Sequence, residues 1–197
     1  SKKNSKEKAE WMYGEDVKIP MSSKTILKKD YDFKNVKKAF ESRKASADFC
    51  VDVETMVQFN PDIKNNYCWS VGDKKYSNSK GASLYGKATN KNTISIEMCS
   101  NLKKGYSVKY ANHDGWYITD ETIKQCIKLT KILMKKFNIP LERVVRHYDI
   151  SGKLCPGVIG WNDELIYTDD GKPTNKRNNS SKWIEFKKML ENSSQLN

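Results

Sequence analysis

The chain has 197 residues, 37% of them hydrophobic, which is enough for one globular domain with its own core. Its 36 Lys and Arg against 24 Asp and Glu give a net charge of +12, so polyanions such as nucleic acid, anionic membrane or an anionic cell-wall polymer are favoured partners. Only four of the basic residues are arginine. This counts against nucleic acid as the partner, because proteins that recognise bases and phosphates rely on the bidentate hydrogen bonds of arginine.

Five cysteines make an odd number, and no two of them form a Cys-x-x-Cys pair. This argues against a disulfide framework and against a zinc ribbon. No apolar window approaches the length of a transmembrane span, and residues 1–20 lack the apolar core of a signal peptide. We expect a flexible basic segment over 1–16, one domain over 17–190 and a tail over 191–197.

The first half of the chain is predicted to contain a strand, a helix and a β-hairpin. Residues 17–21 suit a short edge strand, and residues 32–43 carry apolar side chains at helical spacing. Residues 45–60 indicate two strands around a turn, and residues 60–92 are typical of a polar loop. The stretch TISIEMC, residues 93–99, alternates and contains β-branched residues, so it predicts a buried central strand.

The clearest predicted element is a helix over residues 119–138. Thr119 is a good N-cap, two acidic residues follow it in the first turn, and two lysines suit the helix dipole near the C-terminus. One apolar face is predicted to consist of Ile123, Cys126, Ile127, Thr130, Met134 and Phe137.

The remaining elements define the expected fold class. Residues 100–118 are predicted to be a polar loop, and a short strand after the long helix is predicted to end at His147. A further loop over 156–182 leads into a terminal helix over 180–190. Strands and helices in this order predict an α/β fold, with helices packed on a mixed β-sheet.

One stretch combines two residue types that bind zinc. The sequence VVRHYDISGKLCPG, residues 144–157, contains His147 and, eight residues later, Cys155. Imidazole and thiolate are zinc ligands, and a catalytic site leaves one coordination position for water. Two ligands at this spacing are a weak signal, and the alternative is a core histidine with a buried thiol.

Two charged residues have roles that depend on such a metal site. Lys153 could stabilise the oxyanion of a tetrahedral intermediate, and its alternative is an ordinary solvated lysine. Glu97 lies in an apolar strand, where a carboxylate is costly unless it is paired or used, so it could act as a general base. The alternative is that Glu97 faces solvent on an alternating strand.

Several motifs together resemble the zinc-dependent N-acetylmuramoyl-L-alanine amidases of the type-2 amidase and peptidoglycan-recognition-protein fold, which include phage endolysins and bacterial autolysins. The stretch RHYDISGKLCPG is similar to the segment that carries the family's second zinc histidine, its catalytic lysine and its cysteine ligand. The stretch TNKNTISIEMC resembles the strand that carries the catalytic glutamate. KASADFCVD resembles the preceding hairpin strand, CWSVGD the tryptophan loop beside the groove, and SSKWIEFKKML the terminal helix.

The resemblance implies a single domain with a central mixed β-sheet, flanking helices and a groove that holds Zn2+. His147 and Cys155 would be metal ligands, Glu97 the base and Lys153 the oxyanion stabiliser. Substrate-binding roles would fall to Asp48, Trp69 and Asn92. The reaction implied is cleavage of the amide between N-acetylmuramic acid and L-alanine in bacterial peptidoglycan. The enzyme would act at the cell wall, after secretion or after release at phage lysis.

One motif of the family has no counterpart. Members carry a first zinc histidine on an N-terminal strand, and counting back from the hairpin leads to Met21 or a neighbour. Three explanations remain open. The chain could be a peptidoglycan-binding module that has lost catalysis; His113 or Asp149 could complete the site; or the N-terminal segment could be altered.

The sequence is therefore compatible with three functions: a zinc amidase, a binding module of the same fold, and a basic nucleic-acid-binding protein, the last supported by charge alone. Under the amidase hypothesis, the +12 charge would hold the enzyme on phosphate-rich teichoic polymers of the wall, a retention that salt should weaken. The alternative is that the many lysines reflect only genome composition.

Overall fold

The computed structural model describes residues 2–3 and 45–192. The strand predicted over 17–21 and the helix predicted over 32–43 lie outside these residues. In chain order the strands are β1 (Lys2–Lys3), β2 (Phe49–Val51), β3 (Met56–Gln58), β4 (Asn66–Tyr67), β5 (Ile96–Met98), β6 (Asn101–Leu102), β7 (Trp116–Tyr117), β8 (Leu165–Tyr167) and β9 (Pro173–Arg177). The helices are α1 (Asp120–Phe137), a 3-10 turn (Leu141–Arg143), α2 (His147–Ser151) and α3 (Ser181–Glu191).

The described residues form two compact units. The first comprises residues 2–3, 45–72, 89–99 and 120–140; the second comprises residues 73–88, 100–119 and 141–192. Within the segment expected to be flexible, β1 pairs with β4, so at least these two residues join a strand pair.

The first unit is built on a mixed three-stranded sheet. Strands β2 and β3 form the hairpin expected from residues 45–60, and β5 pairs with β2 in parallel, with Cys50 opposite Glu97. Phe49 and Val51 are completely buried. Among the described strands β2 is the central one, whereas β5 lies at the edge and its three residues are half-buried. The prediction of a buried strand over 93–99 was therefore wrong in its extent and its burial, since the strand covers only Ile96–Met98 and is half-buried.

Helix α1 packs against β2 and β5 and confirms the helix expected from the apolar periodicity. Asp120 and Glu121 lie at its N-terminal end, where the helix dipole favours negative charge. It ends at Phe137; the following Asn138 adopts the left-handed conformation with φ 50°, and the N–H of Ile139 donates to the carbonyl of Met134 at 2.9 Å. This closure satisfies a terminal carbonyl in the manner of a Schellman motif.

The second unit contains two small hairpins, β6–β7 and β8–β9, together with α2 and α3. Helix α3 confirms the terminal helix, and its Phe186 stacks on Trp183 and meets Trp161 edge-on, with ring centroids 5.6 Å apart in both pairs. The loop predicted over 156–182 was wrong where β8 and β9 form. Strand β8 has only three residues, all half-buried, and β9 is polar and mostly exposed, so neither shows an apolar alternation.

The α/β class with a mixed sheet and packed helices is confirmed. All five cysteines are free; three of them are buried, and Cys99 and Cys155 are half-buried. Within the described ranges, no helix combines the length and the apolar character that a membrane crossing requires.

Candidate active site

His147 is the first residue of helix α2 rather than the end of a strand, so the expected strand was wrong. The preceding Arg146 is extended, with φ −91° and ψ 156°, and its backbone N–H donates to the carboxylate of Asp149 at 2.8 Å. The Arg146 guanidinium adds two further bonds to the same carboxylate, at 3.0 and 2.7 Å. This local network favours a helix start at His147, because the third helical residue, Asp149, accepts the N–H of the residue that precedes the helix.

The chain turns back on itself directly after α2. Gly152 adopts the left-handed conformation with φ 81°, and its N–H donates to the carbonyl of Tyr148 at 2.9 Å. The N–H of Tyr148 donates to the carbonyl of Cys155 at 3.0 Å. The main chain of Cys155 is thereby fixed beside the residue that follows His147, and the exposed Lys153 lies on the intervening turn.

A segment that we call the clamp loop, residues 76–84, holds α2 through main-chain hydrogen bonds. The N–H groups of Tyr76, Ala82 and Leu84 donate to carbonyls of α2 at 2.8–2.9 Å. Gly81 has no room for a side chain, because a Cβ there would lie 2.3 Å from the carbonyl oxygen of Tyr148. The sequence identified this region only as a loop.

Glu164 connects the clamp loop to α2 by its side chain. Its Oε1 accepts hydrogen bonds from the Tyr148 hydroxyl at 2.8 Å, from the Ser79 hydroxyl at 3.1 Å and from the backbone N–H of Lys80. Burial works to raise the pKa of Glu164, but these donors together with Arg177 outweigh it and the pKa is lowered. Burial, and then the bond to Glu164, raises the pKa of Tyr148 to about 12.

The two residues considered as a third metal ligand are already engaged. His113 is 1% exposed; its Nε2 lies 2.6 Å from Asp169 Oδ1, and its Nδ1 accepts the N–H of Gly115 at 3.0 Å. Both carboxylate oxygens of Asp149 are bonded to Arg146. The metal-binding atoms of both residues are therefore already bonded within the protein. No cluster of three His, Cys, Asp or Glu side chains able to hold a metal occurs among residues 45–192.

Glu97 belongs to the first unit, on the half-buried strand β5. The thiol of Cys50, its neighbour across the strand pair, lies 3.6 Å from the thiol of Cys99. The pKa of Cys50 is raised by this contact with Cys99, then by burial, and further by the negative charge of Glu97. Glu97 thus lies close to two thiols in a partly desolvated place, an environment suited to a functional carboxylate.

Asp48 is placed differently from the expected substrate contact. It is completely buried, and its Oδ1 accepts the side-chain N–H of Asn60 at 2.6 Å. Its Oδ2 accepts the backbone N–H and the hydroxyl of Ser95, at 2.8 and 3.0 Å. This carboxylate joins the β2–β3 hairpin to the residue that precedes β5, which is a structural role and does not agree with contact to substrate.

Trp69 and Asn92 both belong to the first unit, Trp69 on the loop after β4 and Asn92 on a turn before β5. The indole of Trp69 is 40% exposed, and its loop is held because Asn90 Oδ1 accepts the N–H groups of Ser70 and Val71 at 3.0 and 2.8 Å. Asn92 accepts the N–H of Thr89 at 2.7 Å and so stabilises a turn. An exposed aromatic ring on a fixed loop is a suitable surface for a sugar or peptide face.

Sequence comparison places these features among known proteins. Residues 20–158 match the N-acetylmuramoyl-L-alanine amidase family. The chain is 33% identical over 129 residues to N-acetylmuramoyl-L-alanine amidase CwlH of Bacillus subtilis (strain 168), covering 64% of this chain and 42% of that protein. It is 28% identical over 118 residues to N-acetylmuramoyl-L-alanine amidase CwlL of Bacillus licheniformis, covering 60% of this chain and 28% of the relative. The chain therefore spans less than half the length of these relatives.

Structure comparison agrees on the fold. A mutant structure of PlyL superposes with a TM-score of 0.50 at 18% identity, covering 83% of this chain and 79% of PlyL. The catalytic domain of XlyA is also similar, with a TM-score of 0.49 at 21% identity and coverage of 86% and 80%. The family match contains Glu97, His147, Lys153 and Cys155 together. The chain belongs to the N-acetylmuramoyl-L-alanine amidase family.

Proposed function

We propose that this protein hydrolyses the amide between the lactyl group of N-acetylmuramic acid and L-alanine in bacterial peptidoglycan. The observation that carries the proposal is the family match over residues 20–158, which includes every polar residue for which chemistry was expected from the sequence. Two relatives that bear the amidase name are consistent with it. The place of action would be the cell wall, reached by secretion or by release at phage lysis.

Amide hydrolysis needs a base for water and a positive charge near the carbonyl oxygen. We assign the first task to Glu97, which would take a proton from the attacking water and pass it to the departing amine of L-alanine. Lys153 would stabilise the oxyanion that forms as water adds to the carbonyl. The exposure of Lys153, and its absence from the salt bridges of the described residues, support this role. The products are a lactyl carboxylate and a free alanine N-terminus.

We also propose that His147 and Cys155 are zinc ligands. The main-chain bond between Tyr148 and Cys155 supports this pairing, because it fixes both residues on one turn. A catalytic zinc would polarise the carbonyl and lower the pKa of its water, and it takes three protein ligands. The described residues supply only two, since both histidines of the chain are accounted for and His113 is engaged. A third ligand would have to come from outside the described residues and would not be histidine.

A binding module of the same fold is the second candidate, and the incomplete donor set is the observation that favours it. Such a module would keep affinity for peptidoglycan and release no product. It would also show no dependence of binding on metal.

One experiment separates the two candidates. Purified protein is analysed for zinc and then incubated with purified cell walls, and new alanine N-termini are counted by amine labelling. We expect about one zinc per chain, and we expect Cys155→Ala and His147→Ala to lose both the zinc and the product. Glu97→Gln should keep the zinc and lose the product. Lys188→Gln, an exposed change on α3, serves as the matched control. Wall binding without zinc or product would refute the amidase in favour of the binding module.

A further inference from the structure

Four lysines lie in a row on the solvent side of helix α1. Lys124, Lys128, Lys131 and Lys135 follow one another at intervals of four, three and four residues. Residues three and four apart are neighbours on a helix surface, with about 5–6 Å between their Cβ atoms. The row, which we call the lysine stripe, is therefore continuous and extends for about 16 Å along the helix axis.

The stripe faces directly away from the core. At about 100° per residue the four lysines fall within a sector about 60° wide, opposite the buried face of the helix. That buried face contains Ile123, Cys126, Ile127, Leu129, Leu133 and Phe137. Three of the four lysines are exposed and Lys131 is half-buried, so the ammonium groups are presented on one surface of the first unit.

The stripe carries charge that the described part of the molecule does not neutralise. None of the four lysines takes part in a salt bridge among the described residues. Asp120 and Glu121 lie only at the N-terminal end, and no acidic residue follows them in the helix. Like charges three or four apart cost a helix about 0.2–0.5 kcal/mol for each pair. The stripe contains three such pairs, whereas an ordinary solvated helix face mixes both signs.

We propose that the lysine stripe binds a linear phosphodiester polymer of the bacterial cell wall, of the teichoic type. The inference rests on the proposed function, because that function places the protein on a wall. A straight row of evenly spaced point charges complements a chain that carries one phosphate per short repeat. Lysine ammonium groups contact phosphate without the fixed fork geometry of arginine, so recognition is of charge and spacing rather than of a base or sugar. Nucleic acid is the competing polyanion.

The test compares two quadruple variants that both lower the net charge from +12 to +8. The stripe variant carries Lys→Gln at 124, 128, 131 and 135. The control variant carries Lys→Gln at 104, 109, 176 and 188, which are exposed lysines scattered over other elements. Binding of both variants and of the parent is measured by co-sedimentation with purified cell walls, over a range of salt, before and after hydrofluoric acid removes the phosphate polymers. Thermal unfolding confirms that all three proteins are folded.

We expect the stripe variant to bind untreated walls at least about tenfold more weakly, and its slope of log affinity against log salt to fall by about 3. The control variant should keep a slope within about 1 of the parent. On acid-stripped walls all three proteins should bind equally. Equal losses in both variants would overturn the proposal, because net charge alone would then explain retention. A stripe-dependent affinity for duplex DNA without one for untreated walls would overturn it in favour of nucleic acid.

Amide release from acid-stripped walls is measured on the same samples. If all three proteins release product, the proposed function is supported whatever the binding measurements show. Failure of all three to release product would count against the amidase proposal, while the comparison of binding to untreated and stripped walls would still decide the role of the stripe.

Discussion

Replacing Asp48 by alanine separates a structural role from a substrate contact. The resemblance to amidases predicted that this residue lines the groove, whereas the structure buries it completely and gives both of its oxygens hydrogen-bond donors. The change would leave the side-chain amide of Asn60 and the N–H and hydroxyl of Ser95 without their acceptor. Asn60 keeps one alternative, the carbonyl of Asn66 at 3.1 Å.

The expected loss of stability follows from these contacts. Hydrogen bonds to a charged group contribute about 1.5–3 kcal/mol each, so the two best bonds together give about 3–6 kcal/mol. This is a large share of the free energy of unfolding of a typical domain, about 5–15 kcal/mol. Asp48→Asn keeps the shape and one acceptor, so we expect about half of that loss.

Urea unfolding followed by tryptophan fluorescence measures the effect, with Asp73→Ala as the control because Asp73 is exposed. We expect the control to lie within about 0.5 kcal/mol of the parent. If Asp48→Ala were as stable as the parent and bound peptidoglycan more weakly, the structural role of Asp48 would be refuted and its predicted position in the groove would be correct.

Three further predictions follow from other contacts. Lys128→Glu should stabilise the protein by about 0.8–2 kcal/mol, because each of two repulsions of about 0.2–0.5 kcal/mol, from Lys124 and Lys131, becomes an attraction of similar size. Lys188→Glu should destabilise the protein, because Glu185 and Glu191 lie three residues away on either side. Chemical unfolding that gave both changes the same sign would contradict this reasoning. Gly81→Ala should lower the free energy of unfolding by about 1–3 kcal/mol, because the new Cβ would clash with the Tyr148 carbonyl. The control Ser83→Ala should leave it unchanged, because Ser83 is exposed. An unchanged melting temperature of Gly81→Ala would show that the clamp loop can move to accommodate the Cβ. Because the pKa of Glu164 is lowered in the folded state, its carboxylate stabilises the protein fully above the usual pKa of about 4.5, and this stabilisation is lost as the pH falls through the lower folded value. The difference in unfolding free energy between the parent and Glu164→Gln should therefore shrink below about pH 4.5. A difference that did not depend on pH would refute this prediction.

The elements that the sequence predicts well are those with a strong local period. Helix α1 has an apolar face that repeats along eighteen residues, so its position follows from the pattern alone. The hairpin β2–β3 is also found, because its strands are bounded by turn residues. In the candidate site, the segment from His147 to Cys155 is recognised from its motif.

The other elements and contacts depend on interactions that produce no periodic pattern in the sequence. The start of α2 at His147 results from one arginine and one aspartate three residues apart, a signal too short to separate from a charged loop. The burial of Asp48 depends on Ser95, which is 47 residues away. Strand β8 has only three residues and β9 is polar, so neither shows a usable alternation. The Asp-Gly pair at 170–171, with Gly171 at φ 78°, is the turn signal that could have indicated their hairpin.

The clamp loop has a consequence for how the protein can diverge. It holds the helix of His147 largely by backbone amides, which every residue except proline provides. Outward side chains of the loop, such as that of Tyr76, which is 39% exposed, contribute little to that hold. Mutation can therefore vary the surface of this loop, while Gly81 and Glu164 keep the helix in place. Variation of the surface and the hold on the helix of His147 therefore depend on different atoms, the outward side chains and the backbone amides.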